Sequence, residues 1–347
     1  AQVRAVAEAQ AEGALEALSA AVPRAVVITT GAGRLTSRAA DFAVAACAGR
    51  LDVPIVVAPI LPGWVGPLDV VVVTGTDAGD PLLADALSRA GRRHAEIVVA
   101  APLEGPLRDA ARIGERGAIP VLDLSPRLPV DPRFRFTGLV AALVAVFTGL
   151  HAVRLTPAPL PLAELADLLD AEAGADHPSQ ESFYNQAKLL ALRASGHRPV
   201  FVGQTPAAAA VAAQVAAAFF DIAGWSAVSA DIDRALSVQS ARSVTGDATS
   251  ALFYDPEFDG PPAAEPRRTF VLSTAARGWF AAQQISGHDA DLITEQVGTD
   301  EAAAQRADGA LDVRTDTPAD IAAYLVIVVR AELAAAYAAL GRERVGI

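Results

Sequence analysis

The sequence of 347 residues contains no methionine, one cysteine and one lysine, and only 5% of it is aromatic. A single cysteine, Cys47, excludes an intramolecular disulfide, and its place on an apolar helix face predicts a buried, inert thiol. With Lys188 the sole lysine, 27 of the 28 basic residues are arginine and alanine is abundant. That bias resembles a high-GC bacterial genome, such as an actinobacterium's. The lack of methionine even at position 1 leads us to expect a chain trimmed at its start. Basic residues are outnumbered, and a net charge of −12 argues against a nucleic-acid partner. No uninterrupted apolar run reaches the ~18 residues that span a bilayer. Leu139 to Leu150 comes closest and reads as a buried helix. Ala1 to Leu18 is a polar helix-like segment without a signal-peptide pattern, so a cytoplasmic protein with no membrane partner is expected.

Several chemical signatures are missing too. Neither G-x-x-x-x-G-K-[ST] nor G-x-S-x-G occurs, and His94, His151, His177, His197 and His288 show no metal-ligand spacing. No metal and no cofactor are expected. Gly31-Ala32-Gly33-Arg34-Leu35-Thr36 begins like the dinucleotide fingerprint, but Thr36 replaces its third glycine. The next strand ends at Val57-Ala58-Pro59 without the acid that would hold a ribose, which argues against that fold of binding. Asp77 and Asp80 suit a helix start better than a metal site.

What the sequence does hold is one stretch, Ala25 to Arg38, that organises the rest. Val26-Val27-Ile28 is a β-branched run expected of a strand buried on both faces. The small residues Thr29 to Gly33 break it, and Leu35, Ala39, Phe42, Ala43 and Ala46 recur at helical spacing. Strand, glycine turn and helix place backbone N–H groups at a helix N-terminus, where an anion can be held. Pro199 to Phe220 repeats this order 174 residues later, Val26 corresponding to Val200.

Strands expected at Val53–Ala58, Asp69–Thr74, Glu96–Ala101 and Ile119–Leu124 alternate with helices at Pro81–Ala90, Pro106–Arg112 and Phe136–Leu150. This alternation implies parallel βαβ units. Pro157, Pro159, Pro161 and Pro178 mark a connection, followed by a helix from Glu181 to Ala194. In the second half, Thr269–Thr274 echoes Asp69–Thr74, and a helix from Pro318 to Leu340 echoes Phe136–Leu150. The expected class is α/β, with two similar domains, each a parallel sheet flanked by helices on both faces, related by pseudo-twofold duplication. The boundaries are 1–153 for the first, 154–180 for the linker and 181–347 for the second. Gln239 to Arg268, rich in Ser, Gly, Asp and Pro, reads as a long loop, either an insertion or a flap over a site.

Small hydroxyl and glycine residues after parallel strands point to phosphate recognition, and here the chain resembles paired SIS (sugar isomerase) domains. The likeness is nearest to the bifunctional phosphoglucose/phosphomannose isomerase type. It implies a sugar phosphate as ligand and a homodimer. The family's first glycine-serine turn is matched by Gly31, Gly33 and Arg34, with Ser37 just beyond. Its S-x-S-G-N-T loop is matched by Thr74-Gly75-Thr76-Asp77-Ala78-Gly79-Asp80, where Thr74 and Thr76 keep hydroxyls and Asp77 and Asp80 add negative charge. The resemblance implies Arg133 as the active-site arginine, with Arg135 next, and Asp221 as the carboxylate base. The family's ring-opening histidine has no counterpart in Ser229-Ala230-Asp231-Ile232-Asp233 and the residues that follow.

Each assignment has a plainer alternative. Gly31 and Gly33 serve either an anion or a tight turn, Asp221 is either a base or a surface acid at a helix end, and Arg133 either serves a site or pairs with acidic neighbours. Two functions therefore stand open. One is aldose–ketose isomerisation of a hexose 6-phosphate through an enediol, with Asp221 as base and Arg133 stabilising developing charge. The other is a non-catalytic protein that binds a phosphosugar or another carbohydrate derivative in a degenerate isomerase site.

Overall fold

A computed structural model describes residues 1–112, 117–150, 155–245, 266–296 and 315–345. His151 and residues 246–265 of the expected loop lie outside the described residues. The chain divides into two compact units, Ala1–Asp170 with Asp316–Ala322, and Ala171–Thr315 with Ala323–Ile347.

The first unit carries α1 (Gln2–Ala11), β1 (Ala25–Thr29), α2 (Arg34–Cys47), β2 (Ile55–Ala58), β3 (Asp69–Thr74) and α3 (Pro81–Arg92). After these come β4 (Glu96–Ala100), α4 (Gly105–Arg112), β5 (Leu122–Asp123) and α5 (Phe136–Gly149), and α6 (Leu162–Ala175) begins in this unit. The strands form one parallel sheet in the order β2-β1-β3-β4-β5. Val26 pairs with Ile55 on one side and Val70 on the other, so β1 is central, as its run of buried β-branched residues requires. One face of the sheet buries Val27, Val71, Val73, Ile97 and Val99 against Leu83, Leu87 and Leu107 of α3 and α4. On α2 and α5, Phe42 and Phe136 pack with ring centroids 6.0 Å apart. Each such valine or leucine contributes roughly 1.5–3 kcal/mol on burial.

The second unit carries α7 (Gln186–Ala194), β6 (Arg198–Gly203), α8 (Pro206–Ala223), β7 (Val228–Asp231), α9 (Ile232–Thr245), β8 (Arg267–Leu272), α10 (Gly278–Gln284), β9 (Ala290–Ile293) and most of α11 (Asp320–Val345). Its parallel sheet has the order β7-β6-β8-β9, which repeats the β2-β1-β3-β4 order of the first. Phe201 stacks on Phe270 at 5.3 Å and tilts against Phe219 at 5.2 Å, filling the space under α8. The architecture is the expected one, two parallel sheets flanked by helices.

Several boundaries differ from expectation for local reasons. The leading helix stops at Ala11 because Gly13 adopts φ +87°, and a short 3₁₀ turn, Glu16–Ala20, takes up the rest. The helix before β6 starts only at Gln186, where the Asn185 side chain accepts the Lys188 N–H as its cap. The expected loop from Gln239 begins as helix, since α9 runs to Thr245. Two helices, Pro206–Ala223 and Asp320–Gly341, are long and apolar enough to cross a membrane by length and composition. Single polar residues such as Gln214 interrupt their apolar runs, which is why no run of that length stood out in the sequence. Over half of each window, 56% and 67%, is buried against protein.

Cys47 is fully buried, and desolvation pushes its thiol up to about 12. Burial also acts on two acids of the second unit. Glu332 of α11 is buried with Oε1 unpaired among the described residues, and burial pushes its carboxyl up to about 8 against the opposing hydrogen bond of the Gln214 side chain. Asp176 is raised to about 6 by burial, although its Oδ1 accepts the Ala187 N–H. Both acids are raised above their unfolded values, so the native state binds more protons than the unfolded one across the interval. The contribution of these two acids to stability is therefore fully present at low pH and is lost as pH rises from about 4 towards 8.

Two measurements test this packing. Glu332→Gln should flatten the fall in urea-unfolding stability between about pH 5 and pH 8 and raise stability at pH 8. An unchanged slope would contradict the burial of that carboxyl. A Cβ at Gly203 would lie 2.2 Å from the Ala208 carbonyl carbon of α8. Gly203→Ala should therefore cost roughly 2–3 kcal/mol in urea unfolding by forcing α8 off β6, and an unchanged midpoint would refute that close approach.

Candidate functional site

The first sheet reverses its winding between β1 and β3, because β1 is followed by β2 on one side and β3 lies on the other. In an open α/β sheet the crevice outside the strand ends at such a reversal is where ligands bind. A cleft of about 350 Å³ lies there, lined by residues of the Thr30–Thr36 and Gly75–Leu83 segments. The size lies within the range of roughly 300–1,000 Å³ usual for small-molecule sites.

One carboxylate joins its two walls. Asp80 caps α3 by accepting the Leu82 N–H at 2.8 Å through Oδ1, with Pro81 in the first helical turn. Its Oδ2 accepts the Ala32 N–H of the glycine turn, also at 2.8 Å. Gly31 sits at φ +58°, and a Cβ there would come within 2.1 Å of Asp80 Oδ2. Glycine is needed at that position both for the left-handed backbone and for the approach of the carboxylate. Asp77 is exposed and turns the same loop by accepting the Gly79 N–H at 2.8 Å. The turn that could hold an anion thus already holds one, supplied by the chain.

The sequence-predicted residues are distributed as follows. Gly33 and Thr76 line the cleft, and Gly31 forms the turn beside it. Thr74 is fully buried, its hydroxyl donating to the Ala100 carbonyl within the sheet at 3.4 Å. Arg34 is exposed at the start of α2 and does not line the cleft, and Ser37, one turn on, hydrogen-bonds Asp41. Arg133 forms a two-pronged pair with Asp131, Nε at 3.1 Å and Nη2 at 2.8 Å, which holds the Asp131 carboxyl down at about 2. Arg135 lies nearer the loop, donating to the Thr76 carbonyl at 3.4 Å and the Val130 carbonyl at 3.0 Å. Asp221, in the second unit, is exposed in the last turn of α8. No group of His, Cys, Asp and Glu among the described residues is arranged to hold a metal ion.

Sequence reasoning gave no role to Thr36. It is 1% exposed in the first turn of α2 and lines the cleft, and its Oγ1 has no hydrogen-bond partner among the described residues. A Cβ on Gly33 would lie 2.9 Å from that oxygen, so the hydroxyl lies directly beneath the glycine turn. Its place in the fingerprint position normally given to glycine was the one available signal. The equivalent reversal in the second unit, between β6 and β8, carries a chain of side-chain hydrogen bonds. Ser273 donates to Gln204 at 3.3 Å, Gln204 to Gln284 at 2.7 Å, and Gln284 to Asp233 at 3.2 Å.

No family model and no curated protein sequence matches the chain. Solved structures do, and what they share with it is the fold of phosphosugar isomerases of the SIS type. The tagatose-6-phosphate ketose/aldose isomerase of Escherichia coli aligns with a TM-score of 0.55 at 13% identity, over 98% of this chain and 90% of that one. The C-terminal domain of glucosamine-fructose-6-phosphate aminotransferase from Francisella tularensis aligns at 0.58 and 12%, over 98% and 93%. A candidate phosphosugar isomerase from Silicibacter pomeroyi DSS-3 aligns at 0.56 and 17%, over 99% and 92%.

Asp80→Ala should lower stability by about 1–2 kcal/mol in urea unfolding, since it removes the α3 cap and orphans the Ala32 N–H together. An effect within ~0.3 kcal/mol would show that the carboxylate does not join the two loops.

Proposed function

We propose that this chain binds a carbohydrate derivative in the β1/β3 cleft of its first unit and does not isomerise hexose 6-phosphates. The observation that supports this reading is the Asp80 carboxylate on the Ala32 N–H. A phosphate entering the turn would meet that charge, and a unit charge pair at about 6 Å and an effective dielectric of ~20 costs roughly 3 kcal/mol. The arginine assigned to stabilise an enediolate is closed onto Asp131, and no histidine follows β7 in the described part of α9.

A second reading, aldose–ketose isomerisation through an enediol with Asp221 as base, draws support from Arg135. Its guanidinium donates to the Val130 and Thr76 carbonyls and, among the described residues, to no carboxylate.

Proton exchange separates the two. The protein is incubated with glucose 6-phosphate, fructose 6-phosphate and mannose 6-phosphate in deuterated water, and the C1 and C2 protons are followed by NMR. The binding reading expects no exchange, together with saturable amide shifts at Gly33 and Thr76 in a panel of unphosphorylated and aminated sugars. Exchange that disappears in Asp221→Asn would replace it with the isomerase reading.

A further inference from the structure

Resting on the binding reading above, we infer that the cleft selects a polyhydroxylated ligand carrying a protonated primary amine, such as an amino sugar without phosphate. Three observations in one unit converge on this. The cleft wall carries Asp77 and Asp80, and among the described lining residues there is no Lys, Arg or His. Arg135 approaches only the far side of the loop, through the Thr76 carbonyl, and does not line the cleft. A concave surface lined by one sign of charge concentrates ions of the other.

Second, the amide that would favour an anion is already engaged. Ala32 donates to Asp80, and Asp77 ties down the Gly79 N–H, so neither N–H is offered outward. Asp77 and Asp80 still carry acceptor capacity on this wall. A carboxylate oxygen has two lone pairs, and each of these internal bonds uses one. An ammonium presents three donors and no acceptor, which complements such a surface.

Third, Thr36 Oγ1 is buried beneath the glycine turn, lines the cleft and has no partner among the described residues. A buried hydroxyl without a partner is costly in the empty protein and is satisfied if a ligand N–H or O–H reaches it. The acidic loop selects the charge of the ligand, and the hydroxyl marks where its polar atoms reach the floor.

The test uses the full ¹⁵N-labelled chain and three probes: D-glucosamine, D-glucose and glucose 6-phosphate. Glucosamine should give saturable shifts of the Ala32, Gly33, Thr36 and Gly79 amides, with an affinity at least about tenfold above either other sugar. Asp77→Asn keeps an oxygen for the Gly79 N–H and should weaken glucosamine about tenfold while leaving glucose unchanged. Thr36→Val should weaken glucosamine several-fold without lowering the urea midpoint, because the hydroxyl has no bond to lose. Glucose 6-phosphate binding as tightly as glucosamine would overturn the inference and leave the binding reading standing. An Asp77→Asn variant that binds glucosamine as the unmodified chain does would overturn it as well. No shift with any of the three sugars would overturn both.

Discussion

The Asp80 carboxylate is the contact on which the candidate site depends. It ends one loop by capping α3 and fixes the other by accepting the Ala32 N–H, so the mouths of β1 and β3 are held by one side chain. Gly31 follows from it, because any side chain there would collide with the carboxylate. The close approach of α3 to the sheet follows as well. Leu83, one turn into that helix, packs on Gly75, where a Cβ would lie 2.4 Å from Leu83 Cδ1. A strand-end crevice of this topology ordinarily offers free N–H groups to an anion. Here the chain itself engages two of them, the Ala32 and Gly79 N–H groups, and brings two carboxylates to the crevice while its geometry is kept.

The fold was legible in the sequence because its signals were local and redundant. A β-branched run at Val26–Ile28, a glycine turn and a helical stripe specify a βα unit, and their recurrence at Val200 specifies a second. Sheet order then follows from the short parallel connections. Helix ends were less legible, since they turn on single residues: Gly13 ends α1 through its left-handed backbone, and Asn185 delays α7 by capping it.

Much less of the site could be read. Motif matching marks Thr74 as a hydroxyl for ligand, but its χ rotation places that hydroxyl on the Ala100 carbonyl. Arg133 sits two residues from Asp131, and in a 3₁₀ turn this spacing closes the pair, which the plainer alternative allowed for. Thr36 stands out in the sequence only as the residue replacing a fingerprint glycine, and its burial without a partner among the described residues appears only in the structure. Such properties depend on side-chain direction and on what lies across the turn, which spacing along a chain does not encode.

The claim that the glycine turn is closed to anions is tested most directly by titrating the ¹⁵N-labelled protein with inorganic phosphate while following the Ala32 amide. An amide held by Asp80 stays unperturbed across the titration, and in Asp80→Ala, which removes both the charge and the acceptor, the resonance becomes responsive. A saturable shift of Ala32 in the unmodified protein would show that phosphate displaces the carboxylate, and would restore the turn as a phosphate site.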